Sequence, residues 1–162
     1  MQIREIQLAD LSALRSRVLR CEFGGEHGLE ALIFEFSGKY GYGSEGNRDA
    51  DYMEAIKSAY LAVCNVDGVV FDLRQLNYEW GNRVWNVFSC YESESEADRT
   101  NGEPAWVFPV AIVVSDLCKA GFSTCQGMVP PLFDTLDEAL HFVEVAARDY
   151  AQAMSRWLES TK

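Results

Sequence analysis

Gly41-Tyr42-Gly43-Ser44-Glu45-Gly46 carries the glycine spacing of a dinucleotide-binding loop. Glycines at those intervals let a backbone turn tightly and approach a pyrophosphate closely, with the following helix N-terminus facing the anion. The loop follows an apolar run and precedes a helical pattern. Asp72 closes the next apolar run, where an acidic side chain would meet a ribose hydroxyl. The surroundings fit that chemistry poorly. Gly41 lies four residues past Ser37, tyrosines flank the first glycine, and Glu45 would repel a phosphate. Asn47-Arg48-Asp49 also delays the helix. We read a flexible Gly-rich loop, with Gly41, Gly43 and Gly46 as the alternative cofactor-binding positions and no cofactor expected.

The remaining chemistry-bearing residue types are sparse. His27 falls in a turn and His141 sits between Leu140 and Phe142, so no Ser-His-Asp or Cys-His order emerges. No catalytic residue is assigned and the chain is not expected to be an enzyme. Cys21, Cys64, Cys90, Cys118 and Cys125 are odd in number and lack CxxC spacing, which argues against a disulfide framework and a zinc site. Glu92, Glu94, Glu96 and Asp98 form an acidic run without the glycine-pinned spacing of a calcium loop. It reads as a solvated loop or a contact for a basic partner, and no metal site is expected.

The aromatics are the stronger signal. Tyr40 and Tyr42 follow one strand pattern, and Tyr78 and Trp80 follow another, interspersed with Asn77 and Glu79. If Ala31–Ser37 and Gly68–Leu73 are neighbouring parallel strands, both loops leave the sheet at its carboxyl edge, where open α/β sheets bind ligands and partners. Aromatic residues on such loops suit interface anchors. Trp80 and Trp85 could instead fold back into the core.

The elements that must position these loops can be read from hydropathy. Asp67-Gly68 turns into the apolar run Val69-Val70-Phe71, the pattern of a buried strand, followed by a polar loop. Alternation over Arg17–Phe23 and Ala31–Ser37, around Gly24-Gly25-Glu26-His27-Gly28, predicts a β-hairpin. Asp10–Leu14 suits either a helical turn or a loop. Asn47 or Asp49 can cap a helix whose apolar stripe is Tyr52, Ile56, Tyr60 and Val63. Val84, Trp85, Phe88 and Tyr91 suggest a short second helix. Trp106–Ser115 suggests a strand that is either at an edge or starts after Pro109. Leu117–Pro131 reads as loop, and Thr135–Glu138 as a capping box opening a long helix lined by Leu136, Leu140, Val143, Ala147, Tyr150, Met154 and Trp157. Hairpin, helix, strand, helix, strand, helix is the order of an α/β domain with a mixed, mostly parallel sheet of four to five strands and three flanking helices.

With 162 residues, 48% of them apolar, the chain suits one domain over residues 1–162. No apolar run approaches the ~20 residues of a membrane span, and a charged N-terminus lacks a signal peptide's apolar stretch. A cytoplasmic location is expected. The net charge of −11 disfavours contact with a phosphate backbone and favours encounter with a basic protein.

Three passages together resemble the STAS domain, the sulfate-transporter and anti-sigma-factor-antagonist fold. They are Leu32–Gly38, Val69–Leu73 with Trp80-Gly81, and Leu132–Leu140. The resemblance spans roughly residues 17–150. It implies a STAS-like α/β fold and a signalling regulator, yet Trp80 stands where such regulators carry the Ser or Thr that takes a phosphate. The expectation drawn from the residues themselves is a non-catalytic module that binds another protein of basic surface. It would be an inhibitor or immunity-type protein, with Tyr40, Tyr42, Tyr78, Glu79, Trp80, Glu92 and Glu94 at the contact. A STAS-like regulator and a cofactor-binding enzyme using Gly41–Gly46 are the alternatives.

Overall fold

Five strands form one mixed sheet in chain order, β1-β2-β3-β4-β5. The computed structural model describes residues 2–25, 28–81, 83–90, 107–123 and 130–160. The hairpin is present as β1 (Arg15–Glu22) antiparallel to β2 (Glu30–Lys39). Its alternation sends Val18, Leu32, Phe34 and Phe36 to one face of the sheet, and Leu19, Cys21, Ala31 and Ile33 to the other.

After β2 the chain forms α1 (Asn47–Leu61) and returns as β3 (Gly68–Asn77), parallel to β2. The chain then passes through α2 (Val84–Val87), β4 (Val110–Val113), α3 (Lys119–Ser123), β5 (Leu132–Phe133) and α4 (Leu136–Ser160). The ladders β3–β4 and β4–β5 are parallel too. The expected α/β class and sheet of up to five strands are therefore present. β4 starts just after Pro109, where the missing N–H costs no ladder bond.

The two faces are covered differently. Residues of α1, α2 and α3 pack with Leu32, Phe34, Val69, Phe71 and Ile112 in the larger core, and α4 alone packs Ala139, Val143 and Ala147 on Ile33, Val70, Ala111 and Val113. Thr135 opens α4, its hydroxyl accepting from the Glu138 N–H at 3.3 Å and donating to the Glu138 carboxylate at 2.8 Å. Among the described helices, none is long and apolar enough to cross a membrane.

Several elements differ from expectation for identifiable reasons. β3 runs four residues past Leu73, because β2 continues to Lys39 and pairs Ser37, Gly38 and Lys39 with Gln75, Leu76 and Asn77. Polar Arg74-Gln75 imitates a loop because no helix covers that part of the strand. α1 ends at Leu61, so Val63 lies beyond it, 81% exposed, and Met53 and Lys57 take the buried face instead. The Lys57 ammonium pairs with Glu54 at 2.8 Å and donates to the Ser89 carbonyl at 2.5 Å. Such pairing is what allows a lysine into a core. α3 and β5 arise within and just after the stretch read as loop; both are too short to show a period. Tyr91 and Trp106 lie outside the described residues.

Two outcomes test this packing. Val70 is fully buried in the centre of the sheet. Val70→Asp should lower unfolding free energy by about 3 kcal/mol or more, measured by urea denaturation, because it places a carboxylate among apolar side chains. Burial pushes the Cys90 thiol from its ordinary 9.0 up to about 12, overriding the opposing pull of Lys57. The folded chain thus holds this proton more tightly than the unfolded chain. The stability so contributed is complete below pH 9 and is lost as pH rises toward about 12. Cys90→Ala should flatten the fall of melting temperature over that interval.

Candidate functional site: the aromatic rim

Because β2, β3 and β4 run parallel, their carboxyl ends share one edge. The ladder extends past both strands. The Tyr40 N–H donates to the Asn77 carbonyl at 3.0 Å, the Gly43 N–H to the Trp80 carbonyl at 3.1 Å, and Gly43 bridges Gly81 in parallel register. On the other side the Tyr78 N–H donates to the Leu117 carbonyl at 3.1 Å. Three outgoing loops therefore lie side by side, as the parallel-strand expectation required.

The aromatics on these loops divide into two tiers. Tyr42 and Trp80 stand outside, 65% and 45% exposed, with ring centroids 5.8 Å apart at a tilt of 49°. Tyr40 and Tyr78 lie inside, 3% and 1% exposed, edge to face at 5.2 Å. Tyr78 stacks on Phe122 at 4.4 Å, and Trp85 meets both rings edge-on. This corrects the expectation that Tyr40 and Tyr78 are surface anchors. Each immediately follows its strand, and sheet alternation turns it inward against α3 and the glycines. Trp85 belongs to the inner tier and Trp80 to the outer.

Glycines at the rim are spaces for rings and for backbone. A Cβ on Gly46 would lie 2.1 Å from Cε1 of Tyr40, and one on Gly41 would lie 2.7 Å from the Glu45 backbone. Gly43 has φ +59°, and the Trp80 ring sits 3.1 Å from where its Cβ would be. The amide hydrogens that would cradle a phosphate are engaged within the chain. Gly41 donates to Asp49 Oδ2 at 2.8 Å, Gly43 to Trp80, and Glu45 to the Tyr42 carbonyl. Asp72 lies away from the loop on the α4 face, accepting a bidentate pair from Arg74 at 2.9 and 2.6 Å. Gly41, Gly43, Gly46 and Asp72 thus do not converge on one dinucleotide cradle.

Asp49 holds the rim to the N-terminal segment. It is buried in the first turn of α1, and its Oδ1 accepts from the Ser12 hydroxyl at 2.6 Å. A carboxylate there also suits the positive end of the helix dipole. The Tyr40 hydroxyl is buried with no hydrogen-bond partner among the described residues, and burial raises its pKa.

Exposed acidic side chains flank the aromatic pair: Glu45 and Glu79 on the two loops, and Asp51 on α1 paired with Arg83 at 2.9 Å. Leu117, 53% exposed, extends the apolar rim from the β4 side. The sequence reading missed it, although the shared-edge argument for the first two loops applies equally to the third. Glu92, Glu94 and His27 lie outside the described residues. His141 is exposed on α4. No group of three or more metal-ligating side chains occurs among the described residues. No known family model matches this chain, and no curated protein matches it.

Substitutions separate the two tiers. Gly43→Ala should cost about 1–3 kcal/mol, since a side chain at that φ is strained, and should shift Trp80 fluorescence as the ring is displaced. Tyr40→Phe should leave the melting temperature unchanged or higher, because it removes a buried hydroxyl that has no partner. A fall of several degrees would show that this hydroxyl is satisfied.

Proposed function

We propose that the protein is a non-catalytic, acidic protein-binding module, a cognate inhibitor or immunity-type protein that occludes a basic partner. The observation that carries this reading is the exposed Tyr42–Trp80 pair on a braced base. Exposed aromatic rings at a sheet's carboxyl edge offer large contact area with few side-chain rotors to freeze. The buried Tyr40–Tyr78–Phe122 cluster fills the space beneath the outer rings, so less ordering remains for the moment of binding. Glu45, Glu79 and the net charge of −11 would speed approach of a positively charged surface.

Occlusion needs only a rigid surface that fits, and no side chain here is required to transfer a proton or a group. The reading places the protein in the cytoplasm. The free thiols of Cys21, Cys64, Cys90 and Cys118 support that compartment.

Affinity capture from native lysate should recover one basic protein at fixed stoichiometry. Against it, Trp80→Ala and Tyr42→Ala should each weaken binding by roughly 30-fold or more, as interface anchors do. Glu79→Gln should slow association with little effect on dissociation. Full affinity in the Tyr42→Ala, Trp80→Ala double variant would remove the rim from the interface.

A further inference from the structure

α4 crosses its face of the sheet obliquely. It begins beside the end of β5, passes Gly68 at the start of β3 through Val143, and reaches the hairpin turn, where Arg148 donates to the Gly24 carbonyl. The corner at the carboxyl ends of β2 and β3 and the amino end of β1 on that face has no helix over it among the described residues. The side chains change character at this boundary. Ile33 and Val70 under α4 are apolar, whereas Glu35 and Asp72, two residues on and directly opposite each other in register, are charged.

Two like charges on neighbouring strands repel, so cations must accompany them. Arg17, opposite Glu35 on β1, forms a bidentate pair with it at 2.5 and 2.9 Å. Arg74 does the same for Asp72 from its own strand, and a register shift makes this possible. Between Asp72 and Gln75 of β3 lie two residues opposite the single Phe36 of β2. This bulge turns Arg74 back onto Asp72, whose Oδ1 also accepts the Arg74 N–H at 3.1 Å.

The donors exceed the acceptors. Both guanidiniums spend Nε and Nη2 on their carboxylates, and neither Nη1 has a hydrogen bond to them. Arg15, exposed on the same face of β1, has no ion pair among the described residues. Together with Ser37 and Gln75 these groups line a cavity of about 570 Å³. The lining side chains, three arginines against two carboxylates, carry +1 on a chain whose net charge is −11, with the Asp137 carboxylate also acting on Arg74 from outside the lining. The pairing also preorganises Arg17 and Arg74, since each guanidinium plane is held by two hydrogen bonds.

We propose that this corner is a binding site for a small oxyanion, a carboxylate or phosphate group, held by Arg15 and the free Nη1 groups of Arg17 and Arg74. It lies on a sheet face, whereas the aromatic rim is built from loops, and it does not rest on the reading given to that rim.

Two-dimensional 1H–15N spectra of the arginine Nε–H groups test this during titration with inorganic phosphate and, separately, with succinate. Saturable shifts at Arg17 and Arg74 with phosphate alone would assign the site to phosphoryl groups, and with succinate alone to carboxylates. Arg15→Ala should weaken the effective anion about tenfold, the loss of one charge-assisted hydrogen bond. Arg15 is exposed, and an unchanged melting temperature checks that the variant is folded. The proposal fails if neither anion gives a saturable shift up to about 10 mM, ten times a millimolar dissociation constant. It fails equally if chloride at the same ionic strength reproduces the shifts, or if Arg15→Ala binds as tightly as the unmodified chain.

Discussion

The ladder joining Ala31–Lys39 to Gly68–Asn77 is parallel along its length, so both strands release their chain at the same edge. Everything at the rim follows from that pairing. It brings Tyr40 beside Asn77, Gly43 beside Trp80, and the Tyr42 ring onto the Trp80 ring. An antiparallel return would have sent the second loop to the far end of the sheet. Apolar burial holds the ladder, since Phe34, Val69, Val70 and Phe71 are all fully buried. Their combined removal from water is the main term opposing the entropy of ordering two strands far apart in sequence.

The same ladder carries the bulge that separates the molecule's two polar regions. Up to Glu35 and Asp72 the strands pair residue for residue; beyond them β3 has one more residue than β2. The extra residue leaves Arg74 and Gln75 on the open corner, yet returns Leu76 to the larger core. Without the shift, strict alternation would carry Leu76 to the charged face. One irregularity thus keeps the apolar side dry below the rim and gathers the arginines on the opposite side.

The sequence displayed the fold more plainly than the site. The hairpin and α4 could be read from their periods and β3 from its continuous apolar run, since burial is what each pattern reports. The polar end of β3, the five-residue α3 and the two-residue β5 could not, because exposed or short segments take their form from neighbours. At the rim, hydropathy identified the aromatics and could not sort them. Tyr40 and Tyr42 are the same residue type with opposite fates: Tyr40 packs inward on Tyr78, and Tyr42 stays outside against Trp80. Asp49 suits a helix cap in the sequence, and nothing in the local pattern marks Lys57 as buried. Their burial depends on the Ser89 carbonyl and the Ser12 hydroxyl, partners more than 30 residues away.

The Gly41–Gly46 loop shows how one spacing can serve different chemistry. In a dinucleotide fold the glycines admit a pyrophosphate and a close helix. Here they admit the Tyr40 and Trp80 rings and the loop's own backbone. The anion near the start of the helix belongs to the chain itself: Asp49, in the first turn of α1, takes the Gly41 N–H. A carboxylate delivered by the helix satisfies the amide that an exogenous phosphate would otherwise seek. The demand for small residues is therefore the same in both cases, and glycine spacing alone cannot tell them apart. What distinguishes them is the residue the first turn of the helix presents, since α1 starts at Asn47 directly after Gly46. Asp49, the third residue of α1, lies within reach of Gly41, so the loop is closed by a side chain of its own helix, and Tyr42 and Trp80 stand exposed at that edge beside Leu117.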